Sequence, residues 1–144
     1  MKIVTAKWLF DGETVQNDCA VAFDEKIVAL GTPEELKAQY PKAEFLELDN
    51  RTVLMPGLVN PHVHLEFGAN TTHLKFGDFM QWLDSVIARR DELTDACKAG
   101  CYKRQIDTML ASGITTFGAV SSYGKEMLAC KAAPQRVIFF NEAI

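Results

Sequence analysis

Apolar and polar positions alternate in short runs through residues 2–54, and after Pro56 they give way to longer stretches with helical spacing. The runs Ile3 to Phe10, Cys19 to Phe23, Lys26 to Leu30, Glu44 to Leu48 and Thr52 to Leu54 predict strands, because a period of two puts every second side chain on one face. Asp11-Gly12 and Asp24-Glu25 mark tight turns between them. Thr32-Pro33-Glu34-Glu35 predicts the start of a short helix: Thr32 is the N-cap, proline takes the first helical position, and Glu35 follows the cap by three residues. The helix runs to about Tyr40 and stops before Pro41. Together these elements predict a small antiparallel β module.

After Pro56 the pattern predicts a short apolar strand, Leu58 to Asn60. A helix follows from about Asp78 to Arg90, with Phe79, Trp82, Leu83, Val86 and Ile87 at helical spacing. A second helix is expected from Thr94, as its N-cap, to Ser112, where Gly113 stops it. Thr115 to Val120 predicts a strand, Tyr123 to Cys130 a helix broken by Pro134, and Arg136 to Asn141 a third strand. Strands alternating with helices argue for parallel βαβ units, the beginning of an α/β barrel or of a doubly wound sheet. The expected division is 1–55 and 56–144.

Composition narrows the function classes. With 48% apolar residues the chain can build a core. Its 15 basic and 19 acidic side chains give a net charge of -4, with no basic block, so the electrostatic footprint of nucleic-acid binding is missing. No apolar run approaches the roughly 18 residues of a membrane span. The N-terminus, Met1 to Lys7, alternates and carries charge, which predicts a strand and not a signal peptide. A cytoplasmic location is the expectation. Cys19, Cys97, Cys101 and Cys130 match neither a zinc ribbon nor a thioredoxin motif. Cys97 and Cys101, four apart on one helical face, are expected to pack as small apolar groups.

The residues with the most chemistry in them are His62 and His64, in Met55-Pro56-Gly57-Leu58-Val59-Asn60-Pro61-His62-Val63-His64-Leu65-Glu66. On a strand, residues i and i+2 share a face, so both imidazoles can meet one metal ion. Such a pair also arises by chance as two structural histidines. Its place at the C-terminal end of a buried strand, where parallel α/β folds keep their active sites, favours the metal.

Pro56 to His64 resembles the first barrel-strand signature of the amidohydrolase superfamily. Phe23 to Gly31 resembles the strand pair of that family's N-terminal β-sandwich, and Ser112 to Gly118 its second barrel strand. The resemblance covers essentially the whole chain in order. It implies an α/β fold: the start of a (β/α)8 TIM-type barrel, incomplete in this chain, preceded by a small β-sandwich module. It further implies one divalent metal ion, zinc or iron, with His62 and His64 as two ligands and the remaining ligands and catalytic acid downstream of Ile144. His64-Leu65-Glu66-Phe67 with Phe76 to Ile87 is similar to the aminofutalosine deaminases of the futalosine route to menaquinone. That similarity implies hydrolytic deamination of an adenine-bearing nucleoside, with a second copy of the chain, as a homodimer, or the remainder of the same protein as partner. Alternatives are another amidohydrolase, such as a chlorohydrolase or an S-adenosylhomocysteine or methylthioadenosine deaminase, or an inactive fragment stabilised by a partner chain. The 144-residue chain alone is expected to lack activity.

Candidate substrate-binding residues are Glu66, Arg89, Arg90, Asp91 and Glu142. Glu66 shares the histidines' face and can bind substrate or orient a ligand, or be a plain loop carboxylate. An arginine fork at Arg89 or Arg90 matches a carboxylate, although arginines ending a helix also suit its macrodipole. Asp91 and Glu92 resemble, loosely, the acid with which related deaminases grip ribose hydroxyls. Glu142 follows the third strand and faces the expected catalytic mouth. His73 is expected in an exposed loop, not as a ligand, and Trp82 with its apolar neighbours is expected to pack.

Overall fold

The computed structural model describes residues 1–69 and 74–143, so His73 lies outside the described residues. It divides into two compact units, Met1–Pro56 and Gly57–Ile144.

The first unit holds β1 (Lys2–Phe10), β2 (Val15–Phe23), β3 (Ile27–Gly31), α1 (Pro33–Gln39), β4 (Glu44–Glu47) and β5 (Val53–Leu54). β1 is central and both its faces are buried. Ile3 packs with Ala20, Ala22 and Leu36 of α1, while Val4 and Leu9 pack with Val21 on the other side. β1–β2 and β2–β3 are antiparallel, but β4 and β5 run parallel to β1. The sheet is therefore mixed and not the antiparallel module expected. The crossover through α1 carries the chain back to the starting end of β1, and β4 can then only enter in β1's direction. α1 begins as its sequence predicts: Thr32 Oγ1 accepts from the Glu35 amide (3.3 Å) and Glu35 accepts from the Thr32 amide (2.9 Å). At the Asp11-Gly12 turn, the amides of Thr14 (2.8 Å) and Glu13 (2.9 Å) donate to Asp11 and hold its carboxyl down at about 2.

The second unit holds β6 (Leu58–Val63), a 3-10 turn (Leu65–Phe67), α2 (Phe79–Ala96), α3 (Ala99–Ala111), β7 (Ile114–Ser121), α4 (Met127–Lys131) and β8 (Arg136–Asn141). The strands form one parallel sheet in the order β6-β7-β8. Phe117 and Ala119 of β7 pack with Leu65, Tyr102, Ile106 and Cys130 on the helix side. The opposite face is apolar too, as strands of parallel sheets are, and Val59, Ile138 and Phe140 on it are exposed. The sheet is not closed among the described residues.

Several boundaries differ from expectation. β6 continues past Asn60, and its register with β7 shifts between Asn60 and Val63, where Pro61 has no N–H to give the ladder. α2 runs on to Ala96. Thr94 is not an N-cap but lies in the last turn of α2, its hydroxyl donating to the Asp91 carbonyl (3.1 Å). Arg89 and Arg90 are thus interior to the helix, and the macrodipole does not account for them. The helix after β7 is shorter than expected, since Gly124 adopts φ 68° before it. Cys97 and Cys101 are joined in a disulfide, not packed as separate thiols, because the break after Ala96 folds Cys97 back over the first turn of α3.

Candidate metal centre and adjoining cavity

The three parallel strands of the second unit end side by side, which is where such sheets place their sites. His62 lies in β6 and His64 just beyond it, Ser122 follows the end of β7, and Glu142 follows the end of β8, its amide donating to the Ser121 carbonyl (2.8 Å). The His62 and His64 Nε2 atoms stand 3.1 Å apart. Nitrogens bound to one tetrahedral zinc at about 2.0–2.1 Å lie about 3.3–3.4 Å from each other, so the pair needs only a small opening to take an ion. At 3.1 Å the rings can equally share a proton in an N–H···N bond. His64 stacks on Phe67, ring centroids 5.2 Å apart. Among the described residues no group of three metal-binding side chains forms around the pair.

Behind the pair lies a polar network. Glu66 is completely buried. Its Oε1 accepts from the Ser122 hydroxyl (2.9 Å) and amide (3.3 Å) and faces His64 Nδ1 at 3.7 Å. Ser122 also receives a hydrogen bond from Arg90 Nη2, and its hydroxyl stands 3.3 Å from Glu142 Oε2. Arg90 and Glu142 face each other at 3.7 Å. His64, Glu66, Arg90 and Glu142 are therefore brought together.

Arg89 and Asp91 are not part of this network. Arg89 points to exposed Glu92 (4.0 Å), and Asp91 accepts from the Tyr123 hydroxyl (3.0 Å).

Beside His64 opens a cavity of about 470 Å³ lined mainly by Phe67, Phe76, Trp82, Leu83 and Val86, with Arg90 and Glu142 at its polar end. Trp82, Leu83 and Val86 form one wall of this cavity. The wall is apolar because α2 turns its 82-83-86 stripe toward the strand ends.

Ser122, Tyr123 and Glu126 were not among the candidates from sequence. Ser122 could have been found by its place one residue beyond a parallel strand. Glu126 carries no such signal: it is an acid before a short helix, yet it is completely buried. Burial pushes its carboxyl above the ordinary value of 4.5, and burial with nearby Glu126 pushes the Cys130 thiol up to about 11, leaving it protonated at neutral pH. A carboxyl raised by folding binds its proton more tightly in the native state. The stability it contributes is full below 4.5 and falls as pH rises through the raised folded value. Glu126→Gln is expected to flatten this slope and raise the thermal midpoint at neutral pH. Melts across the acid-to-neutral range test it, and a variant with the wild-type slope would refute it.

The sequence and the fold have counterparts in known proteins. The model of the Amidohydrolase family matches residues 53–141, well over half of the chain. The chain is 42% identical over 144 residues to the aminodeoxyfutalosine deaminase of a Nitratiruptor species, covering all of this chain and 35% of that one. A crystal structure of Helicobacter pylori aminofutalosine deaminase in complex with methylthio-coformycin superposes with a TM-score of 0.93 at 31% identity, covering 100% of this chain and 36% of that one. An atrazine chlorohydrolase of Arthrobacter aurescens complexed with zinc and atraton shares the fold, with a TM-score of 0.76 at 19% identity over 96% of this chain and 35% of that one. The chain spans about a third of the length of these relatives. On the extent of the family match, the chain belongs to the amidohydrolase family.

Proposed function

We propose that this chain is the N-terminal portion of a metal-dependent hydrolytic deaminase acting on an adenine-bearing nucleoside of the aminofutalosine type, in menaquinone biosynthesis. Residues 1–55 would form part of an N-terminal β-sandwich and residues 56–144 the first three β/α units of a (β/α)8 barrel. The observation that carries this is the 3.1 Å approach of the His62 and His64 Nε2 atoms at the C-terminal end of β6. The 42% identity to an aminodeoxyfutalosine deaminase supports the substrate class. Imidazole suits both zinc and iron, and the chlorohydrolase neighbour holds zinc.

His62 and His64 would hold the ion through Nε2, with its other ligands supplied from beyond this chain. A bound divalent ion lowers the pKa of a water to about 7, which makes hydroxide available at neutral pH. Glu66 would accept the Nδ1 proton of His64 and so fix which nitrogen is free to bind. Trp82, Leu83 and Val86 would exclude water from one side of the reacting ring, while Arg90 and Glu142 supply the polar groups that orient the nucleoside. In the net reaction, water adds at the amino-bearing ring carbon and ammonia leaves, converting an adenine to a hypoxanthine.

The test is ammonia release from aminodeoxyfutalosine by the intact, metal-loaded protein, with the accompanying ultraviolet shift. No turnover, or chloride release from a chlorinated heterocycle instead, would overturn the deaminase. The 144-residue chain alone is expected to show no turnover and to bind zinc at least about 100-fold more weakly, since two imidazoles fall short of the four ligands of a closed tetrahedral site. A chelator competition comparing the two proteins checks this.

A further inference from the structure

We infer that Ser122 is a positioning residue for the metal centre, acting through Glu66 on His64; this rests on the metal site proposed above. Glu66 is completely buried, and a buried carboxylate is stable only where hydrogen bonds or charges compensate it. Its direct donors among the described residues are the hydroxyl (2.9 Å) and amide (3.3 Å) of Ser122, both on Oε1. The same Oε1 faces His64 Nδ1 at 3.7 Å, and that Nδ1 is itself buried with no hydrogen-bond partner among the described residues. The carboxylate is thus pinned from the β7 side and aimed at the ring from the other.

The Ser122 hydroxyl has one proton to give. Glu66 Oε1 at 2.9 Å is the nearer acceptor, and Glu142 Oε2 at 3.3 Å the further one. Arg90 Nη2 donates to the Ser122 oxygen, which leaves the hydroxyl proton free to point at a carboxylate. Arg90, Ser122 and Glu66 are therefore hydrogen-bonded in series, and the carboxylate oxygen at the end of the series stands 3.7 Å from Nδ1 of a proposed metal ligand. A ligating histidine depends on such a carboxylate for its ring orientation, and loss of these outer partners typically weakens metal binding about 10–100-fold. Arg90 and Glu142 also bound the 470 Å³ cavity, so Ser122 lies where the cavity wall meets the support of His64.

The experiment measures the zinc dissociation constant of the intact protein by chelator competition, together with the visible spectrum of its cobalt-substituted form. It compares wild type, Ser122→Ala, Ser122→Thr, Glu66→Gln and the double variant Ser122→Ala/Glu66→Gln. Ser122→Ala keeps the backbone amide and removes the hydroxyl alone. It is expected to weaken zinc binding about tenfold and to shift the cobalt bands, while Ser122→Thr restores both. In the Glu66→Gln background, Ser122→Ala should add nothing, because the link it breaks is already gone. Wild-type zinc affinity in Ser122→Ala, or losses that simply add in the double variant, would overturn the inference while leaving the metal site standing. If wild type binds no zinc through His62 and His64, the site reading fails and the inference falls with it. Melts of the metal-free variants separate misfolding from loss of the metal, and Ser122→Thr keeps the test decisive should the alanine variant fail to fold.

Discussion

Replacing His62 or His64 with alanine is expected to abolish stoichiometric zinc and to lower kcat/KM of the intact protein by about 10³-fold or more, equivalent to over about 4 kcal/mol of transition-state stabilisation. The two rings point their Nε2 atoms at one place, 3.1 Å from each other, and no other described side chain completes a cluster with them. Removing one therefore leaves a single imidazole from this chain, and the open site loses the geometry that activates water. The two substitutions should not add, since either one disables the same ion. Elemental analysis and ammonia release, measured on the same preparations, check this. A variant that keeps both its zinc and its turnover would mean that the histidines merely hydrogen-bond to each other.

A second large effect is expected at Gly118. A Cβ added there would overlap the main-chain carbonyl of Pro61 and press on Phe140 at 3.2 Å. The obstacle is backbone, so it cannot swing away as a side-chain end would. β6 lies this close to β7 because the register shifts at Pro61. Gly118→Ala is expected to cost roughly 3 kcal/mol, at the upper end of overpacking penalties, and Gly118→Val more. The strand must move to make room, and His62 follows Pro61 directly, so zinc affinity should drop along with the thermal midpoint. Denaturant melts of the metal-free protein and a zinc titration separate the two effects. Unchanged stability in Gly118→Val would show that β6 and β7 are not packed as described.

The alternation around His62 and His64 was enough to foresee their convergence, because a period of two is a property of the local backbone. The βαβ order of the second unit was legible for the same reason, with Gly113 and Pro134 as punctuation. What escaped depends on tertiary context. β4 is four residues long, and nothing in Glu44 to Glu47 states a direction; the α1 crossover decides it. α2 ends at Ala96 without a glycine or proline, whereas Thr94 carries every local mark of an N-cap. Arg89 and Arg90 are adjacent and alike in sequence, yet about 100° of helix rotation separates them. One therefore reaches exposed Glu92, and the other reaches Ser122 and Glu142. Glu126 is completely buried at the start of α4, which packs on α3 and β8, and no window of sequence around it reveals this.

His62 on β6 and His64, the residue after its last, are proposed to share one ion. Anomalous diffraction at the zinc edge from crystals of the intact protein tests it most directly. The expected result is a single anomalous peak about 2.0–2.1 Å from the Nε2 atoms of both His62 and His64. Rings joined only to each other by an N–H···N bond, with the peak elsewhere or missing from zinc-loaded crystals, would contradict it.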